Sequence, residues 1–263
     1  MNLRGGWALI RRTWLSWMQH RAFFFILAFG WMVPPLVSLL VWSAAAGQGS
    51  LGGYSRGGFA AYYLVLIFVN QFTYAQANWT LGDVIRMGEL NTWLLQPLPA
   101  VYQVLSSEAA GKTVTLAFVL PVAGALALIL RPEMQVSGSA LLLFLLSLAL
   151  AWLLRFVWGY WLALLAFWYT RADALLAVQD ALVFLLSGVV APVTLLPGLL
   201  QGAARLLPFR YMVGFPVEVL MDGLPAGEVA FGLAVQAGWA ALALLLAALM
   251  WRAGIKRYSA VGG

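Results

Sequence analysis

The stretch GFAAYYLVLIFVNQFTYAQANWTL (58–81), which runs directly into GDVIRMGELNTWLLQPLP (82–99), decides the fold. Its first part carries no charged residue and is long enough for a helix to cross the hydrocarbon core, which takes about 20 apolar residues. Its second part holds Asp83, Arg86, Glu89, Asn91 and Gln96, which cannot lie in hydrocarbon, so the chain leaves the membrane there. The pattern predicts a short helix and then a turn at Pro97 and Pro99 that sends the chain back in. A span, a polar loop and a return describe an all-α protein that crosses the membrane several times.

Composition leads to the same class. Of 263 residues, 63% are hydrophobic and 9% charged, whereas an ordinary soluble domain has about 45 to 50% apolar and about 25% charged residues. With a mean hydropathy of +0.90 the surface must face mostly lipid, which excludes a soluble or disordered chain. The absence of cysteine removes disulfides, thiolate metal sites and cysteine nucleophiles. The single histidine, His20, leaves no His-rich metal site, so neither a metal nor a cofactor is expected on this chain. The net charge of +6 is explained by membrane flanks, with no need for nucleic acid.

Uncharged gaps between ionisable residues predict six spans, over 22–46, 58–81, 113–130, 136–169, 174–193 and 229–251. The first resembles a signal peptide, with Ala44-Ala45-Ala46 behind it, but its apolar run exceeds a signal core of about 7 to 15 residues. With the N-terminus inside, Arg4, Arg11, Arg12, Arg21, Arg86, Lys112, Arg171, Arg252, Lys256 and Arg257 are cytoplasmic, against Arg56, Arg131, Arg205 and Arg210 outside. That bias puts both termini in the cytoplasm. Within 1–21, Leu3, Trp7, Ile10, Trp14, Trp17 and Met18 share one helical face, which predicts an amphipathic interfacial helix, a lipid anchor or one that also touches a partner. Residues 192–227 hold Pro192, Pro197, Pro208, Pro216 and Pro225 among apolar runs too short to span, and predict short re-entrant helices on the outer side before the sixth span.

Several residue sets invite chemistry. Tyr63, Asn70, Tyr74 and Asn78, with Gln71 beside them, form a polar stripe on the second span that lines a substrate path or bonds a neighbouring helix. Arg155 and Asp180 lie deepest in apolar sequence and are expected to pair or to share a wet cavity, unless each reaches the interface. Arg205 and Arg210 either attract an anionic headgroup or anchor the outer surface. Gly47-Gln48-Gly49-Ser50-Leu51-Gly52 fits a dinucleotide fingerprint by letter only, since a span precedes it in place of a strand. Ser106 to Thr113 resembles a phosphate-binding loop without its first glycine, and Lys112 is better read as a cytoplasmic anchor flanking the third span. His20 is cytoplasmic and no Gly-x-Ser-x-Gly elbow occurs, so an intramembrane serine hydrolase is not supported.

Three stretches carry a family resemblance that covers nearly the whole chain. They are Gly88-Glu89-Leu90 through Leu94-Leu95-Gln96-Pro97-Leu98; Leu207-Pro208-Phe209 with Phe215-Pro216 and Asp222-Gly223-Leu224; and Trp251, Gly254, Arg257, Tyr258 and Gly262. They resemble the permease subunit of an ABC-2 type transporter. That resemblance implies one transmembrane permease domain over 1–263, with a cytoplasmic coupling loop at 82–100. It also implies a second permease, identical or homologous, and two copies of a separate ATPase that holds ATP and magnesium. Asp83, Arg86, Met87, Gly88, Glu89 and Leu90 would then contact the ATPase, and export of a lipophilic, glycan or peptide-like substrate follows. A separate ATPase is the style of a prokaryotic inner membrane. Two alternatives stay open: an ion-coupled carrier using Arg155 and Asp180, and a lipid-modifying transferase built on Glu218, Asp222 and Glu228.

Overall fold

In lipid a chain must bond its own amides and carbonyls, and the long apolar runs accordingly fold as helices. The computed structural model describes residues 3–19, 21–221 and 223–258. His20, Asp222 and Gly262 lie outside the described residues, as do the side chains of Leu3, Arg4 and Arg21. In chain order the helices are α1 (Leu3–Gln19), α2 (Arg21–Ala46), α3 (Arg56–Thr73), α4 (Ala77–Arg86), α5 (Leu90–Leu94) and α6 (Val101–Leu130). There follow α7 (Gly138–Leu164), continued by a 3-10 turn to Phe167, then α8 (Ala172–Leu186), α9 (Gly198–Leu206), α10 (Phe209–Met212), α11 (Gly214–Leu220) and α12 (Ala226–Ile255). No strand forms among the described residues. Serine hydroxyls start two of the long helices: Ser55 accepts from the Gly58 amide at 3.0 Å and Ser137 from the Ala140 amide at 3.1 Å.

Among the described residues five helical stretches are long and apolar enough to cross a membrane: Phe25–Ala46, Arg56–Arg86, Val101–Leu130, Gly138–Phe167 and Ala226–Ile255. The predicted count of six is not reached by helices alone. The run predicted as the fifth span holds α8, whose 15 residues cover about 22 Å, short of a hydrocarbon core of about 30 Å. The third span also differs from its predicted start at Thr113, because α6 begins at Val101. Glu108 and Lys112 lie inside that helix as an i,i+4 ion pair, so their charges do not mark its end. Lys112 is therefore no flanking anchor. The second span is two helices, interrupted over 74–76.

Packing forms two large apolar cores, named inner for the one beside the α4–α5 loop and outer for the one away from it, and a small cluster of Ala28, Met32, Ile67 and Val119. The outer core joins Phe59–Val69 of α3 to Phe144–Leu154 of α7, Val183 and Leu186 of α8, α10, α11 and the first half of α12. The inner core joins Ala75–Leu90 to Phe156–Leu164 of α7, Leu176 of α8 and Ala243 and Ala247 of α12. The division falls on the interruption of the second span and, in α7, on Arg155. On the flank, α1 packs along the first half of α6, with the Trp17 ring so close over Gly111 that a Cβ there would collide with it.

Candidate functional site

Residues 74–76 leave helical geometry in a buried setting, and an unbonded backbone group there would cost about 1–3 kcal/mol. α6 supplies the partners. Lys112 Nζ donates to the Tyr74 carbonyl at 2.8 Å and to Glu108 Oε1 at 2.5 Å, while Glu108 Oε2 accepts from the Ala77 amide at 3.2 Å. A cation thus sits at the C-terminal end of α3 and an anion at the N-terminal end of α4, each at the helix end whose dipole favours it.

From the other side, Arg155 of α7 reaches the same interruption. Its Nη1 donates to Asn70 Oδ1 at 2.8 Å and to Thr73 Oγ1 at 3.1 Å, and its guanidinium lies 5.1 Å from the Tyr74 ring centroid. Nη2 is 3.9 Å from Asp180 Oδ1, so the structure brings the two deep charges together as a buried ion pair without a direct hydrogen bond. Arg155 Nε, Asn78 Oδ1 and Gln179 Oε1 are buried without a hydrogen-bond partner.

The polar stripe is not one continuous face, because the interruption turns its members to different neighbours. Tyr63 donates to the Val190 carbonyl at 3.3 Å, Gln71 to the Ala28 carbonyl of α2 at 2.8 Å, and Asn78 to the Phe156 carbonyl of α7 at 2.8 Å. Tyr74 packs at a tilt against Trp31, with ring centroids 4.5 Å apart. These are bonds between neighbouring elements. A cavity of about 880 Å³ lies instead between the α5–α6 corner, α7 and α12, against Trp152, Phe156 and Tyr160, and none of the five stripe residues lines it.

At the free end of α4 the chain turns over Met87, Gly88 and Glu89 into α5. Gly88 has φ +78°, a conformation that favours glycine. Asp83, Arg86, Met87 and Glu89 are exposed, whereas Leu90 is fully buried in the inner core and holds the loop on the body. Arg86 pairs with Asp83 at 2.7 Å. Beside them a cleft of about 230 Å³ is lined by Arg86, Trp168, Tyr169, Thr170, Arg257 and Tyr258, so the α4–α5 loop, the α7–α8 connection and the C-terminal tail meet on one surface.

At the opposite end, residues 187–192 are non-helical and tucked inside. Their carbonyls are taken by the Trp42 indole, to Val190 at 2.7 Å, and by the Tyr62 hydroxyl, to Gly188 at 3.2 Å. Arg210 and Glu218 form a mostly buried ion pair between α10 and α11, which leaves Arg205 as the exposed arginine of that segment. Burial, with the negative charge of Glu218, pushes the Tyr54 hydroxyl up to about 12. With Glu218 committed to Arg210, Glu228 stands in the first turn of α12 as a helix-end carboxylate.

A family model described as ABC-2 family transporter protein matches residues 32–262. The chain belongs to the ABC-2 transporter family. None of the curated proteins and none of the solved structures compared with it matches. ABC-2 permeases are membrane components of transport, not themselves catalytic, and normally work with an ATPase subunit. In this ABC-2 protein the match covers the interruption, the exposed loop and the cleft, and leaves out α1. Sequence reasoning passed over Glu108, Thr73 and Trp42. Only Glu108 left a signal, its i,i+4 spacing to Lys112.

Proposed function

We propose that this ABC-2 protein is the permease subunit of an ATP-binding cassette exporter. Two copies of a separate ATPase bind ATP and magnesium, a second permease, identical or homologous, completes the path, and this chain binds no cofactor. The observation that carries the reading is the α4–α5 loop. It presents Asp83, Arg86, Met87 and Glu89 to solvent on a turn fixed by Gly88 and by buried Leu90, as a surface that receives a soluble partner requires. On this reading the cytoplasm, of a prokaryotic inner membrane, lies at that end and holds both termini. α8 with the tucked stretch 187–192 then makes a further crossing, and α9 to α11 are re-entrant. Non-helical backbone at membrane depth is tolerated where protein satisfies it, and the bonds from Trp42, Tyr62 and Tyr63 support that placement. The exported substrate is lipophilic, glycan or peptide-like, and Tyr63, Asn70, Gln71 and Asn78, buried and bonded to neighbouring elements in this arrangement, reach its path only in an arrangement that opens between those elements.

The test is affinity purification of the tagged chain from its native membrane, with mass spectrometry of stoichiometric partners and an ATPase assay. Arg86→Glu and Glu89→Lys are expected to weaken partner retention about tenfold or more, about 1.4 kcal/mol, with thermal stability nearly unchanged. The exposed Arg86–Asp83 pair contributes only about 0.3–0.5 kcal/mol to the fold. Retention equal to wild type in both variants refutes the docking surface. A chain that purifies alone and moves solute on an ion gradient would favour a carrier working through Arg155 and Asp180, the second reading their buried contact supports.

A further inference from the structure

We propose that the interruption at 74–76 is a joint between the inner and outer halves of the permease, and that Glu108 and Lys112 are the positioning residues that set its angle. The coupling role rests on the permease reading above; the joint itself rests on geometry.

Three observations converge on it. First, Tyr74, Ala75 and Gln76 include neither proline nor glycine, the usual causes of a helix break. The break is held from outside, by two side chains of one neighbouring helix bonded to the two facing helix ends. Second, the two apolar cores meet at this level. α4, which carries the exposed loop, packs in the inner core, and α3 packs in the outer core. Because α7 and α12 run unbroken through both cores, a tilt of α4 with the loop is taken up at its own contacts with α6, α7 and α8 and leaves α3 in place in the outer core. Third, that layer is polar and incompletely bonded: Arg155 Nε, Asn78 Oδ1 and Gln179 Oε1 lack partners in the arrangement seen. Buried polar atoms left unpaired favour an alternative arrangement that pairs them. Beside Glu108 and Lys112 lies a partly enclosed cavity of about 30 Å³, bordered by Gln71, Gln76 and Thr115, a space on the scale of a water molecule or two.

Both residues stand one turn apart on the same face of α6, so α6 splints the joint. Their charges are oriented: the cation meets the Tyr74 carbonyl at the end of α3, and the anion meets the Ala77 amide at the start of α4. Orientation separates a positioning role from a plain ion pair. Exchanging the residues, Glu108→Lys with Lys112→Glu, keeps a pair of opposite charges but sets each against the wrong helix end.

The chain has no cysteine, so Arg56→Cys at the start of α3 and Thr80→Cys on α4, both at exposed positions, take spin labels without background. Pulsed electron resonance in lipid nanodiscs then reads the angle of the joint, on the complex with its co-purified ATPase and on the chain alone. Expected in the otherwise native complex is one narrow distance without nucleotide and a shifted one with ATP. In Glu108→Gln, in Lys112→Gln and in the exchanged pair, the distribution broadens and the shift with ATP is lost, while ATP hydrolysis continues. A narrow, ATP-responsive distance in the exchanged pair overturns the positioning role. A distance in the native complex that ignores ATP during active hydrolysis overturns the joint and leaves the permease reading intact. If no ATPase co-purifies, the permease reading fails. The joint is then judged on the chain alone, where equal distributions in native and variant proteins overturn it and broadening in the variants sustains it.

Discussion

A double-mutant cycle on Arg155 and Asp180 tests how the buried layer is held. At the observed 3.9 Å separation, two unit charges in a medium of effective dielectric about 20 attract by about 4 kcal/mol. Desolvation offsets much of that, and no hydrogen bond joins the two groups. The directed bonds of Arg155 go instead to Asn70 and Thr73. Arg155→Gln is therefore the costlier change, about 3–5 kcal/mol, the range for removing one partner of a buried charge pair. Asp180→Asn leaves Arg155 its other acceptors and is expected to cost about 1–3 kcal/mol. The double variant should fall short of the sum by about 1–3 kcal/mol, the range for residues in one network. The assay is reversible unfolding of the purified chain by steric trapping in bicelles. Arg86 and Asp83 serve as the reference cycle, because their pair is shorter, at 2.7 Å, yet exposed. Its coupling should be only about 0.2–1 kcal/mol. Additivity within about 0.5 kcal/mol at Arg155 and Asp180, or a reference cycle larger than the buried one, would refute the pairing.

Two further expectations concern the outer half. A Cβ at Gly214 would meet the Ser187 carbonyl, a backbone group that no rotamer change can clear. Gly214→Ala should therefore cost about 1–3 kcal/mol, whereas Gly238→Ala, facing open space in α12, should stabilise by about 0.5–1 kcal/mol; thermal unfolding in nanodiscs gives both signs, and two changes of the same sign would contradict the account. Gln236 of α12 donates to the Ser147 carbonyl at 3.0 Å and to the Tyr211 carbonyl at 2.8 Å, so Gln236→Leu should cost about 1–3 kcal/mol and raise hydrogen exchange at 209–213, where unchanged exchange would count against it.

Apolar runs made most of this architecture legible, because length and absence of charge are the physical conditions for crossing lipid. They marked Phe25–Ala46, Gly138–Phe167 and Ala226–Ile255 closely. They failed where charge is carried inside. Glu108 and Lys112 neutralise each other and bond backbone, so the gap rule trimmed the third span at a pair that belongs to its interior. The exposed loop was legible from its own polar residues. The inward turn of Leu90 was not, since nothing local tells one leucine of that loop from Leu94 or Leu95, which remain exposed. The interruption at 74–76 was invisible for a different reason: its cause lies in α6 and α7, and no residue within it breaks a helix.

The two non-helical segments inside the molecule are stabilised by different chemistry, and the difference predicts which half moves. At 187–192 the donors are an indole and phenol hydroxyls on short, stiff side chains, and Gly214 lies against the Ser187 carbonyl with no room for a methyl group. Displacing that segment breaks short-range bonds and creates voids together, which favours one geometry. Around 74–76 the charged groups are the ends of Lys112 on the Tyr74 carbonyl, Glu108 on the Ala77 amide and Arg155 on Asn70 and Thr73. Long side chains keep a charged bond over a range of backbone positions by changing rotamer. A charged clasp therefore tolerates a tilt that an aromatic clamp forbids. Motion started at the α4–α5 loop should stop at the level of Arg155 and leave the outer core fixed, so that a spin-label pair placed across the 187–192 segment keeps one distance in every nucleotide state while the pair across 74–76 shifts.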